Sequence, residues 1–155
     1  MHLVQFDDKC HLAVINAYLT DDKLKIGDKE QNILPLISLS TPQDAHALIT
    51  ADTTIDELNQ YFPKYNDHIN LLVIYVEDFK DGRTFSLIRC LRNLNYQKDI
   101  IIAGNYGLDQ AGYYHKSGAT GFLVQDKQLD TLLTTLNDLK SGHLGKSVNG
   151  LPMFQ

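Results

Sequence analysis

Ile69-Asn70-Leu71-Leu72-Val73-Ile74-Tyr75-Val76 is the stretch on which the fold turns. It is nearly all apolar and does not alternate, the pattern of a strand covered on both faces. Asp99-Ile100-Ile101-Ile102-Ala103 repeats that pattern and ends at Gly104. Between the two, Arg83–Leu94 sets Leu87, Ile88, Leu91 and Leu94 at helical spacing. Strand, helix, strand is the unit, and it recurs in both directions.

Upstream, Ala45–Thr50 reads as a short strand, followed by a helix capped at Asp52 or Thr53 and running to about Tyr65. Downstream come a helix over Leu108–Ser117, a strand over Thr120–Val124 and a helix over Lys127–Lys140. In the last of these Leu129, Leu132, Leu133, Leu136 and Leu139 form one stripe, with Gly142 just beyond. The N-terminal part has a different rhythm. His2–Phe6 and Cys10–Tyr18 flank the turn Asp7-Asp8-Lys9 as a β-hairpin, and the charged stretch Thr20–Asn32 reads as an exposed loop. Ile33–Leu39 is a strand whose Pro35 places it at an edge or a strand start. Strands alternating with helices imply a parallel sheet with right-handed crossovers. The expectation is α/β: a flavodoxin-like three-layer sandwich with a mainly parallel sheet, one domain over residues 1–141 and a flexible C-terminal tail over 142–155.

The 155 residues suit one domain able to bury roughly 70% of its unfolded surface. A net charge of −5 without a basic stretch disfavours nucleic acid and anionic membranes as partners. No basic segment followed by an apolar run opens the chain, and Leu71–Val76 is too short to cross a bilayer. The expected location is therefore cytoplasmic, with Cys10 and Cys90 as reduced thiols.

In open parallel sheets, ligands bind beyond the carboxyl ends of the strands, where loops and helix N-termini converge. That rule selects the loops Glu77–Arg83, Gly104–Gln110 and Gln125–Lys127. They carry Glu77, Asp78, Asp81, Arg83, Asn105, Tyr106, Asp109, Gln110, Gln125 and Asp126. All three arginines, Arg83, Arg89 and Arg92, lie within ten residues, whereas the eleven lysines are scattered. Arg83 falls in the first turn of its helix, where a cation opposes the macrodipole by about 0.3–1 kcal/mol. Either a bound anion or an internal salt bridge to Asp78 or Asp81 offsets this. Arg89 and Arg92, three apart, are expected to face solvent or a partner. His115 reads as a partly buried, hydrogen-bonded residue and Cys90 as an inert thiol. No metal-ligand spacing, nucleotide-binding loop or nucleophile elbow occurs.

The stretch from Glu77 to Leu139 resembles the second half of a response-regulator receiver domain. It departs where the chemistry lies, with Tyr75 or Val76 in place of the acceptor aspartate and Gln125 in place of the lysine. A second resemblance is closer. Asp81-Gly82-Arg83-Thr84-Phe85-Ser86, Arg89-Cys90-Leu91-Arg92, Ala103-Gly104, Leu108-Asp109-Gln110, Ser117-Gly118 and Phe122 resemble a bacterial family, domain of unknown function 934. Its members are typically encoded beside sulfite reductase. The resemblance implies a role near sulfite reduction and draws attention to Asp81, Arg83, Ser86, Asp109 and Gln110.

The expected function is a non-catalytic accessory protein of assimilatory sulfite or sulfate reduction. It would bind a small anion or an enzyme partner, such as sulfite reductase, at the strand-end rim. The expected site comprises Asp78, Asp81, Arg83, Ser86, Asn105, Asp109 and Gln110, with no metal and no assigned cofactor. The alternatives are an oxidoreductase of sulfite reduction with a bound cofactor and a degenerate receiver used for protein contacts. An exposed Tyr113-Tyr114 pair leaves a homodimer face open.

Overall fold

The computed structural model describes residues 1–7, 11–36, 45–78 and 82–140. Cys10, Asp81 and the tail expected over 142–155 lie outside them. The strands are β1 (His2–Phe6), β2 (Leu12–Leu19), β3 (Lys23–Ile26), β4 (Lys29–Pro35), β5 (Ala45–Thr50), β6 (Ile69–Val76), β7 (Asp99–Gly104) and β8 (Gly121–Val124). The helices are α1 (Ile55–Tyr65), α2 (Arg83–Asn93), α3 (Ala111–Ser117) and α4 (Leu129–Lys140). Short 3-10 turns at Leu108–Gln110 and Asp126–Gln128 lead into α3 and α4.

The expected open sandwich is not what forms. The sheet closes into an eight-stranded barrel in chain order, with β8 pairing back onto β1. His2 faces Val124, Leu3 faces Leu123 and Val4 faces Phe122 in an antiparallel seam. The pairs from β4 through β8 are parallel, and those joining β1 to β2, β2 to β3 and β3 to β4 are antiparallel.

Two physical causes account for the difference. The first is local: the expected loop Thr20–Asn32 holds a second hairpin. Its alternation Lys23-Leu24-Lys25-Ile26 puts Leu24 into the barrel and the lysines outside. A two-residue turn, Gly27-Asp28 with Gly27 at φ +60°, closes it as tight hairpins require. Surface charge on one face of a strand resembles a loop when only composition is weighed.

The second cause is strand order. β5, β6, β7 and β8 are neighbours in sequence order. Right-handed crossovers that always step the same way put every helix on the same face. The other face has no helix and must be covered by the sheet itself. Eight strands give a barrel just wide enough for side chains to fill.

Two cores result. Odd-numbered residues of the parallel strands, Leu71, Val73, Ile101, Ala103 and Leu123, meet Leu3, Ala17, Leu24 and Ile33 in the lumen. Even-numbered residues, Leu72, Ile74, Val76, Ile100, Ile102, Phe122 and Val124, lie beneath Leu58, Phe62, Leu87, Leu91, Tyr114, Leu132 and Leu136 of the helices. The β6 stretch is buried on both faces as its composition requires, with Leu72, Val73 and Ile74 all at 0% exposure. The strand expected at Ile33–Leu39 is realised as β4, ending at Pro35, and residues 37–39 lie outside the described part.

Helix α1 starts on a capping box: Thr54 Oγ1 accepts from the Glu57 N–H at 3.1 Å, and the Glu57 carboxylate accepts from the Thr54 N–H at 3.1 Å. The exposed tyrosine pair is corrected at one position, since Tyr114 is fully buried and stacks on Phe85 at 4.4 Å. Among the described residues, no helix is long and apolar enough to cross a membrane.

Candidate functional site

The carboxyl ends of β5, β6, β7 and β8 converge at one mouth of the barrel, which is where barrels of parallel strands carry their sites. Two cavities open there and share Leu19 and Tyr75. One, of about 210 Å³, is lined by residues that include Tyr75, Gly104, Asn105, Tyr106, Gln125 and Gln128. The other, of about 400 Å³, is lined by Leu19, Thr20, Asp21, Leu48, Thr50 and Tyr75. Tyr75 is the odd member of β6 at its carboxyl end, so its ring tops the lumen column that Leu71 and Val73 begin. It remains 37% exposed.

The backbone at the mouth is held by a tight contact. Gly104 closes β7 at φ +89°, and the Asn105 N–H donates to the Val76 carbonyl at 2.6 Å. The Asn105 Nδ2 group donates to the Glu77 carbonyl at 3.1 Å, which sets its side chain between β6 and β7. Tyr106 is buried and donates its hydroxyl to the Leu123 carbonyl at 2.8 Å. Burial, with Tyr114 nearby, pushes its pKa above the ordinary phenol value, so it stays a neutral donor. Tyr106→Phe is expected to strand the Leu123 carbonyl and lower stability by about 1–2 kcal/mol, read in urea unfolding. A change below 0.5 kcal/mol would show that water or another donor replaces it.

The sequence-derived residues are placed unevenly. Asn105 lines the mouth, as do Tyr106 and Gln125 from the selected loops. Asp78 is exposed two residues past β6, and Ser86 is exposed on α2; neither lines a described cavity. Asp109 and Gln110 belong to the 3-10 turn before α3, with their side chains close to Gly107, and neither lines a described cavity. Arg83 opens α2, and its Nη2 pairs with Asp52 Oδ1 at 3.0 Å. That partner comes from the turn between β5 and α1. Both side chains are more than half exposed, so the pair adds little stability. Asp81 lies outside the described residues.

Arg92 does not face solvent with Arg89. Its guanidinium is half-buried, donating from Nε and Nη2 to the Gly118 carbonyl at 3.1 and 2.6 Å. From Nη1 it donates to the carbonyls of Tyr96 and Lys98 at 2.7 and 2.9 Å. His115 is likewise structural, with Nδ1 2.8 Å from the Ala119 carbonyl and its ring stacked on Phe6. Cys90 is partly buried, and burial raises its pKa, which lowers its reactivity. No group of three or more metal-ligating side chains forms among the described residues.

Sequence reasoning passed over Leu19, Asp21, Thr50, Tyr75 and Gln128. Tyr75 carried a usable signal, being the one aromatic in an aliphatic strand and close to its carboxyl end. Asp21 carried none, because only barrel closure brings the turn after β2 to the ends of β5 and β6.

A family model described as "Bacterial protein of unknown function (DUF934)" matches residues 47–154, more than half of the chain. The matched region holds α1 to α4 and most of the parallel strands, and so most of the mouth. No curated protein matches.

Proposed function

We propose, for a chain that belongs to the DUF934 family of bacterial proteins of unknown function, a role as a non-catalytic accessory protein of assimilatory sulfite reduction that docks an enzyme partner at the barrel mouth. The pathway part rests on the family resemblance, whose members are typically encoded beside sulfite reductase. The docking part rests on one observation, the chemistry of the lining. Asn105, Gln125 and Gln128 present carboxamides beside the Tyr75 ring, and the Tyr106 hydroxyl is already committed to Leu123. Carboxamides donate and accept hydrogen bonds without exchanging protons near neutral pH. That suits recognition better than acid–base work.

The test is direct binding of purified sulfite reductase to the immobilised full chain. Micromolar binding is expected, weakened about tenfold by the double substitution Asn105→Ala and Gln125→Ala, as for residues central to an interface. Absence of binding at tens of micromolar would overturn the reading.

A second reading, a small anion at Arg83, is favoured by the bare start of α2. Its N-cap, Gly82, makes no side-chain cap bond, and its first turn holds no acid. An anion there would compete with Asp52 for the guanidinium. Calorimetry with sulfite is expected to give a signal that Arg83→Ala abolishes, and a flat titration of the native chain would remove this reading. Arg83→Ala alone should alter stability by less than about 1 kcal/mol.

A further inference from the structure

We infer that the barrel mouth accepts a cationic side chain of the partner, an arginine guanidinium stacked on the Tyr75 ring with Asp21 as its counter-charge. The inference rests on the docking reading above and specifies what enters the mouth.

Charge decides the sign. Among the described residues lining the two cavities, Asp21 is the only charged side chain. Its carboxylate makes no hydrogen bond or ion pair with any described residue, whereas its neighbour Asp22 accepts from Thr20 Oγ1 at 3.2 Å. No lysine, arginine or histidine belongs to the described lining, and the chain as a whole carries −5. The Met1 ammonium also borders the smaller cavity, but it is paired with Asp126 Oδ1 at 3.0 Å, so an anion entering beside Asp21 would meet an uncompensated carboxylate. The same features attract a positive group.

Helix N-termini argue the other way in most strand–helix folds, because their partial positive charge favours anions at this end. Here most of them carry their own acids. Asp56 and Glu57 stand in the first turn of α1, and Asp130 stands in that of α4. Asp109 and Asp126 occupy the 3-10 turns leading into α3 and α4. The bare start of α2 belongs to Gly82 and Arg83, neither of which lines the two cavities.

Aromatic geometry selects among cations. Tyr75 is 37% exposed, lines both cavities and makes no stacking contact or hydrogen bond with a described residue. An unstacked ring and an unpaired carboxylate lining one cavity fit a guanidinium, which stacks on aromatics and pairs with carboxylates. The carboxamide oxygens of Gln125 and Gln128, in the smaller cavity that Tyr75 also lines, supply further acceptors. An ammonium group meets the carboxylate but stacks less well.

The experiment uses amide-resolved NMR of the full chain titrated with N-acetyl-arginine amide, a single guanidinium cation. N-acetyl-lysine amide, neutral N-acetyl-norleucine amide and sodium sulfite are run in parallel. Saturable shifts are expected at Leu19, Asp21, Thr50, Tyr75 and Asn105 with the arginine probe, weaker with lysine and absent with norleucine. Asp21→Asn and Tyr75→Leu are each expected to weaken arginine binding at least about fivefold. Should Tyr75→Leu fail to fold, the exposed Asp21→Asn variant carries the test. Sulfite moving the same amides, or Asp21→Asn leaving arginine binding unchanged, overturns the inference. Failure here with intact binding of sulfite reductase would sink the cation and leave docking standing. Arginine binding without sulfite reductase binding would do the reverse.

Discussion

Gly104→Ala should unfold or severely weaken the protein, with a loss of about 3–5 kcal/mol. At φ +89° an L-residue is strained before any contact is considered. A Cβ there would also lie 2.3 Å from the Val76 carbonyl oxygen and 3.1 Å from the Val76 nitrogen, both backbone atoms of the adjacent strand. Neither can rotate away, so β7 must peel from β6 at the mouth. The bond from the Asn105 N–H to the Val76 carbonyl then breaks, and with it the placement of Asn105. Urea unfolding measures the loss, and NMR shifts at Tyr75 and Asn105 locate it. A variant within 1 kcal/mol of the native chain would mean that the two strands do not approach as closely as described.

Arg92→Ala is the second large effect, at about 3 kcal/mol, because three carbonyls lose a charged donor together. For a chain of this size that corresponds to a fall in Tm of roughly 6–12 °C. The guanidinium ties the end of α2 to the turn after it and to the Gly118 turn ahead of β8. Arg92→Lys is expected to recover little, since an ammonium cannot reach all three acceptors from one position. Gly118 belongs to the same unit. It sits at φ +129°, and a Cβ there would come within 2.8 Å of Arg92 Cγ. The losses from Gly118→Ala and Arg92→Ala should therefore sum to more than the double variant loses. A mild Arg92→Ala variant, or strict additivity, would show that the turns are held by other contacts.

These residues explain part of the stretches on which the family resemblance rests. The leucine–arginine pair in α2 is Leu91, fully buried, followed by the clamp Arg92. The serine–glycine pair supplies the turn that the clamp grips, and the glycine after Ala103 is the one position where β7 can pass Val76. Much of the resemblance is thus accounted for by folding. Residues that carry the resemblance and residues that line the mouth overlap only in part, and Tyr75 and Asp21 belong to the second group.

Local patterning was sufficient for the helices and the parallel strands. The leucine stripe of α4 and the aliphatic runs of β6 and β7 report burial through their spacing, and spacing is a property of a few consecutive residues. The strand-end rule likewise led to Asn105, Tyr106 and Gln125, because each lies within two residues of a strand end. Arg92 escaped that reasoning: its acceptors lie up to 26 residues away, and an arginine on a helix reads as surface until they are known.

What the amino-acid sequence determined by itself was that β6 and β7 are buried on both faces and that helices follow them. What covers their second face was decided only in three dimensions. A helical layer and the far wall of a barrel bury the same aliphatic side chains equally well, so periodicity does not distinguish them. The choice lay in strand order and in the pairing of β1 with β8, a contact between chain segments some 120 residues apart. The hydrogen bonds across that seam join backbone groups that every residue except proline carries, so residue type does not name the partner strand. Closure brought Asp21 and Tyr75 to the same opening and left Arg83 outside it, paired with Asp52.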